Sequence, residues 1–305
     1  IGEQLEAIVA EHRACGPSQA QLCLYQEPDG ASSMVAPLYI DKHKYWKLAQ
    51  PIDDAGMQEE VVLQLQGIIC QKDLPPIWEH HQVDSRHCRY MHQSITLTSF
   101  GTSSKNESIS GIYAIHHLFS HVLPENSMEP WYPTTFDEFL AVNMGNRYFT
   151  NWKDILSSEV LDFKTSVDPN GILMAAMMGT EFAHTIENEV AYFELIVDKD
   201  GNKQYDTVDP IKFRIGDIVE AQVSFITVPL KGKKFKLIVV PHAIALLDSN
   251  PLKDAKIARS YGSLQLQLHS FVLKRKVGYY VEEEAEEEKT RAKMRKMLID
   301  SPTMS

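Results

Sequence analysis

The chain has 305 residues, 44% of them hydrophobic and 23% charged, which is the make-up of a globular protein of one large or two ordinary domains. A formal net charge of −11 excludes a protein whose whole surface coats nucleic acid or anionic membrane, yet leaves room for a local basic groove. No apolar run reaches the roughly 18 residues of a transmembrane helix, so no membrane partner is expected.

The start, IGEQLEAIVAEHRA, lacks the basic end and apolar centre of a secretory signal, and the missing initiator Met points to a fragment or processed product. Cys15, Cys23, Cys70 and Cys88 contain no C-x-x-C pair and are too sparse for a disulfide scaffold. Reduced thiols and an intracellular setting are therefore expected. Asn106-Glu107-Ser108 fits the glycosylation pattern by chance in that setting.

In chain order, Leu5, Ile8, Val9 and His12 recur at helical spacing, predicting a short amphipathic helix over 3–13. A loop at 27–33 precedes a strand at 34–40; 45–49 is too short to assign. Leu63-Gln64-Leu65-Gln66 alternates within 58–70 and reads as a strand, punctuated by Asp73–Pro76. SITLTSF at 94–100 reads as another, followed by a polar loop over 101–108. Ile112, Ile115, Phe119 and Val122 then mark a helix that Pro124 ends.

Thr135-x-x-Glu138 has the form of a capping box ahead of Phe139, Leu140 and Val142, predicting a helix, and 151–163 reads as another. Asp168-Pro169 should cap a helix over 171–178 that closes at Gly179, with Met174, Met177 and Met178 as core filler. Asp200-Gly201 lies between strand runs at 192–197 and around Tyr205, a hairpin signal.

The strongest pattern is 213–248. Val219, Ala221, Val223 and Phe225 alternate with Glu220, Gln222 and Ser224, which is the period of a half-buried strand ending at Pro229. Ile226 and Val228 on the other face predict a bend there. After the turn Lys231-Gly232-Lys233-Lys234, Phe235–Val240 begins a second strand. Two long bent strands suggest a small barrel of OB or SH3-like type. The expected fold is therefore α+β: a mixed α/β body over 1–165, a helix plus antiparallel barrel over 166–250, and a polar linker with a charged tail over 251–305. In that tail, 282–288 carries six glutamates. Glu287 and Arg291 favour a helix by their i,i+4 spacing, with Met294, Met297 and Leu298 as a small apolar face for a protein partner over 281–300.

Four candidate sites emerge. Lys231, Lys233, Lys234 and Lys236 form a basic edge with Phe235 among them, the cation-plus-aromatic combination by which OB-type barrels hold nucleic acid, single- or double-stranded. His80, His81, Asp84, His87, Cys88 and His92 have the side chains of a metal site but no recognisable ligand spacing, so no metal and no cofactor are expected there. His117 and His121 stand four apart beside His116, without the glutamate of a zincin. Leu273-Lys274-Arg275-Lys276 has the form of a nuclear-import signal. His184 and His242 read as structural. No G-x-S-x-G, P-loop or G-x-G-x-x-G occurs, so a non-enzymatic module is expected.

Gly216–Glu220 (GDIVE), Ala245–Asp248 (ALLD), His184–Val190 (HTIENEV) and Leu273–Tyr280 (LKRKVGYY) before the acidic run resemble an uncharacterised family of mushroom-forming fungi. The resemblance implies that the chain from about residue 165 onward is one folding unit. It implies no activity and no catalytic residue.

On these grounds the chain reads as a nucleic-acid-associated binding module. A protein-interaction component using the acidic surface and the tail is the alternative, and a metal-dependent enzyme using residues 80–92 a weaker one.

Overall fold

The computed structural model describes residues 2–15, 21–26, 35–40, 45–50, 59–78, 85–155 and 160–249. These carry one ten-stranded mixed sheet, a two-stranded sheet and three α-helices. The predicted tail, its helix and the LKRK motif lie outside the described residues.

The long hairpin is at the centre. Strand β11 (Ile218–Pro229) pairs antiparallel with β12 (Phe235–Asp248). The other edge of β11 is shared by two strands from early in the chain. Ile218–Val223 pairs with β3 (Leu63–Asp73), and Ile226 and Thr227 pair with β2 (Tyr45–Ala49), itself in a hairpin with β1 (Ala36–Ile40). Beyond β3 come β4 (His92–Thr98), β6 (Phe139–Arg147) and the short edge strand β5 (Thr134–Phe136). Beyond β12 come β9 (Ala191–Val197), parallel to it, and the edge strand β10 (Lys203–Thr207). Strands β7 (Thr150–Asn151) and β8 (Phe182–Ala183) form the separate pair.

The expected α+β division into a mixed α/β body and a C-terminal barrel is corrected here: the described residues are mostly β-sheet. The partners of 213–248 come largely from the first half of the chain, so no barrel closes on itself over 190–248, and strands from both sides of residue 165 share one sheet. The sheet curls until β12 and β6 approach. There Asn146 donates to the Pro241 carbonyl at 3.4 Å, and Tyr192 on β9 donates to Gln93 on β4 at 2.5 Å. Side chains bridge this gap and no ladder does, so the sheet stays open.

The apolar face predicted for β11 is inward, but the strand is covered on both faces, since Glu220 and Ser224 are buried as well. Val219, Ala221, Val223, Phe225, Leu237 and Val239 are buried. They pack in one core with Leu65, Leu97 and Val142 and with Ile112, Ile115 and Phe119 of helix α2 (Ser103–Val122). The bends fall in β12 rather than at Ile226: pairing skips His242 and Leu247, while the ladder is regular from Val223 to Pro229. Pro241 has no N–H to give, and it lies just before the β9 ladder, which starts at Ala243.

Helix α1 (Gly2–Cys15) covers the opposite face, placing Leu5 and Val9 against Ile68 and Ile218. Here the sheet carries a polar network. Gln66 donates to Glu220 at 2.6 Å and to Gln21 at 3.1 Å, Gln21 donates to Gln64, and His12 Nδ1 lies 3.1 Å from Glu220. The acceptor Glu220 is buried and shared by two donors, which is what makes its burial tolerable.

Three local expectations fail. The 101–108 stretch is mostly helix, because Thr102 adopts the extended N-cap conformation and α2 begins at Ser103. The segment after Thr135 is the β5–β6 hairpin: Asp137 takes the left-handed conformation in a two-residue turn, and β6 pairs with β4. At 151–163 the described residues carry a 3-10 turn, Trp152–Asp154, where a helix was expected, and Val160 bridges Thr185.

Helix α3 (Ile172–Met177) is shorter than predicted and its N-cap is Gly171 rather than Asp168, so Pro169 is not its first residue. The Asp168 carboxylate still serves the helix start, accepting from the Ile172 and Met174 amides at 2.7 and 2.9 Å. Met177 packs on a second apolar cluster with Leu173, Phe149 and Cys88, whereas Met178 is 72% exposed and not core. The Asp198–Asn202 hairpin forms as predicted, with Gly201 left-handed and the Asp198 carboxylate accepting from the Asp200 and Asn202 amides. No described helix is long and apolar enough to cross a membrane.

Candidate functional site

The lysine turn is ordered by contacts to another part of the chain. Its own hydrogen bond, Leu230 N to Lys234 O at 2.7 Å, closes the loop with Gly232 and Lys233 left-handed. The connection after α2 then docks on it: Phe235 donates to the Ser127 carbonyl and Glu129 to the Phe235 carbonyl, each at 2.8 Å. Lys234 is used in this docking, donating to the Asn126 carbonyl at 2.8 Å with Glu129 3.8 Å away. Lys231, Lys233 and Lys236 are exposed and make no ion pair among the described residues. Phe225 is core, and Phe235 is partly buried against the same core, so neither offers a stacking face.

The docked connection itself carries an exposed aromatic that was not expected at this edge. Tyr132 is 73% exposed and lies three residues along from Glu129, in the connection that holds the turn. Its neighbour Trp131 is held edge-on against Tyr113, ring centroids 5.3 Å apart. The signal was available in the aromatic and proline-rich run at 125–133. What sequence could not supply was the register that brings this run against Phe235.

Of the candidate ligands in the histidine-rich segment, only Cys88 and His92 have described side chains. His80, His81 and Asp84, with the side chain of His87, lie outside the described residues. Cys88 is buried, its thiol donating to the Ala176 carbonyl at 3.3 Å, while His92 is exposed with Nδ1 2.8 Å from the Tyr90 carbonyl.

A different polar cluster, not foreseen, sits on the α1 face of the sheet. Lys47 on β2, opposite Ile226, reaches Glu60 at 2.9 Å and Glu187 at 2.8 Å. The bulge at His242 points its Nε2 at Ser224 Oγ, 2.7 Å away, with Glu60 3.9 Å from the same nitrogen. Burial opposes the Lys47 ammonium, yet the charges of Glu60, Tyr45 and Glu187 overcome it and hold Lys47 above its usual pKa. Burial pushes the Tyr45 phenol up to about 12 and His242 below the ordinary imidazole value.

Perturbed groups in a cluster are a reason to test for catalysis. The geometry answers against it. A nucleophilic serine needs an acid on the far nitrogen of its base and access to the hydroxyl. Here Glu60 faces the nitrogen that Ser224 already uses, and Ser224 is 1% exposed. The arrangement ties β2 to Glu60 and the 186–188 turn by the Lys47 ion pairs, and β11 to β12 by the Ser224–His242 hydrogen bond.

Compared with known proteins, the chain matches no protein-family model and no curated protein.

Proposed function

We propose that this chain is a non-enzymatic binding module that contacts single-stranded nucleic acid through Lys231, Lys233 and Lys236. The observation that carries this reading is their placement. Three exposed cations without an ion pair among the described residues surround a turn that Lys234 and the Ser127–Glu129 backbone hold in one shape. A fixed turn spends less ordering entropy on binding than a free one. Tyr132 supports the single-stranded choice, since an exposed ring gives unpaired bases a stacking face. The net charge of −11 confines binding to this edge.

Three phosphate contacts to a single strand predict that log K falls against log salt with a slope of about −2. The test is anisotropy with labelled single- and double-stranded DNA and RNA at low salt, for the parent and for a Lys231→Glu, Lys233→Glu, Lys236→Glu variant that keeps Lys234. Retention of single strands by the parent and loss in a variant with parental melting is the expected result. Equal binding by both proteins would refute the site. No retention by the parent would leave a protein-interaction role as the better reading.

A further inference from the structure

Helix α2 holds a second group of chemistry-bearing side chains. His117 and His121 are one turn apart on its exposed face, their rings 4.3 Å apart between centroids, with the two Nε2 atoms separated by 3.1 Å. We propose that this pair is a metal-binding site that chelates a borderline divalent transition ion, Cu2+ foremost and Zn2+ or Ni2+ behind it, through both Nε2 atoms.

Geometry is the first support. An ion about 2.05 Å from each nitrogen, the usual imidazole distance, would see them about 98° apart, between the square and the tetrahedral angle. In the free pair one Nε2–H is directed at the other nitrogen. Binding moves that proton to Nδ1 of the same ring, so a neutral pair releases no net proton, and the rings realign about χ2, which is a soft torsion.

Rigidity is the second. The opposite side of α2 is fixed in the core by Ile112, Ile115 and Phe119, and His116 is tied to the Glu129 carbonyl at 2.9 Å, so the helix backbone that carries the two rings is fixed before the ion arrives. No third His, Cys, Asp or Glu gathers with the pair among the described residues. Water or an incoming donor therefore completes the coordination, and the affinity order follows the intrinsic preference of imidazole for these ions.

The experiment is titration of the full chain with Cu2+ followed by calorimetry and electron paramagnetic resonance, repeated with Ni2+. Parent, His117→Ala, His121→Ala, the double variant and a His92→Ala control are compared. The same single equivalent should be lost, or weakened about tenfold or more, in both single variants and the double, and be kept in the control. The copper spectrum should lose its two-nitrogen signature in the same three proteins. Both side chains are exposed, so melting temperatures without metal should not move. Loss of two separate equivalents in the double variant would mean independent monodentate histidines and would overturn the chelate. So would unchanged uptake in all variants.

Discussion

The carbonyl oxygen of Leu22 lies 2.5 Å from where a Cβ on Gly111 would stand, so the middle of α2 rests directly on the backbone of the 22–24 turn. Glycine normally weakens a helix interior by about 1 kcal/mol relative to alanine. Here alanine would meet a backbone oxygen with no flexible end to give way. Gly111→Ala is expected to destabilise by about 1–3 kcal/mol, against its helix propensity. Urea unfolding of the two proteins checks this, and a more stable variant would show that α2 does not sit this close.

Val223 is fully buried between Leu63 of β3 and Pro241 of β12. Val223→Asp puts an unpaired carboxylate there and should cost about 4 kcal/mol or more. A thermal melt like the parent's would mean that the inward face of β11 is wrongly assigned.

Lys47 should matter through Glu60 more than through Glu187. The Glu187 side chain is 45% exposed and that of Glu60 27%, so solvent screens the first pair more strongly. Glu187→Gln is expected to cost below about 1 kcal/mol. Lys47→Met strips the cation from both carboxylates and should cost about 1–3 kcal/mol. Equal costs for the two substitutions would contradict this ordering.

Stability should fall as pH drops below about 6.5, the ordinary imidazole value. Burial lowers the pKa of His184, against a hydrogen bond to the Tyr148 carbonyl and the charge of Glu189. It lowers His242 likewise, against Glu60 and Glu187. Between the lowered folded value and the unfolded one, the unfolded chain holds more protons, so acid favours unfolding; above that window the effect is absent. Urea midpoints at pH 7.5 and 5.5 measure it. His242→Gln should flatten the dependence, and an unchanged slope in both His242→Gln and His184→Gln would refute the assignment.

The apolar face of β11 was legible because Val219 to Phe225 obey a period of two, whereas the burial of Glu220 and Ser224 on its other face was not; the hairpin turns at Gly201 and Gly232 carry their own chemistry. The overall architecture was not legible. Nothing local tells Ala221 that its neighbour is Leu65, more than 150 residues earlier, and the barrel expectation arose from assigning nearby strands to one another. The Thr135–Glu138 pattern failed because a four-residue cap signal is compatible with a two-residue hairpin turn once β4 offers a ladder. For the candidate site, the lysines were visible in sequence. The use of Lys234 in docking, the docking of the 127–129 backbone on Phe235 and the Lys47–Glu60–His242 cluster all depend on pairings between distant segments.

The pairing of β3 with β11 also sets an order of events during synthesis. Strand β3 and its neighbours β4 and β6 are made early, but the edge of β3 that receives β11 stays open until about 145 residues more have been added. At ordinary rates of translation that interval lasts roughly 7–30 s. Throughout it Leu63, Leu65 and Ile69 on one face and Ile68 on the other border an unpaired backbone edge on the nascent chain, a template for wrong partners. Such late, long-range closure makes folding slow, and nascent-chain capture by a holding chaperone should peak between completion of β6 and emergence of β12.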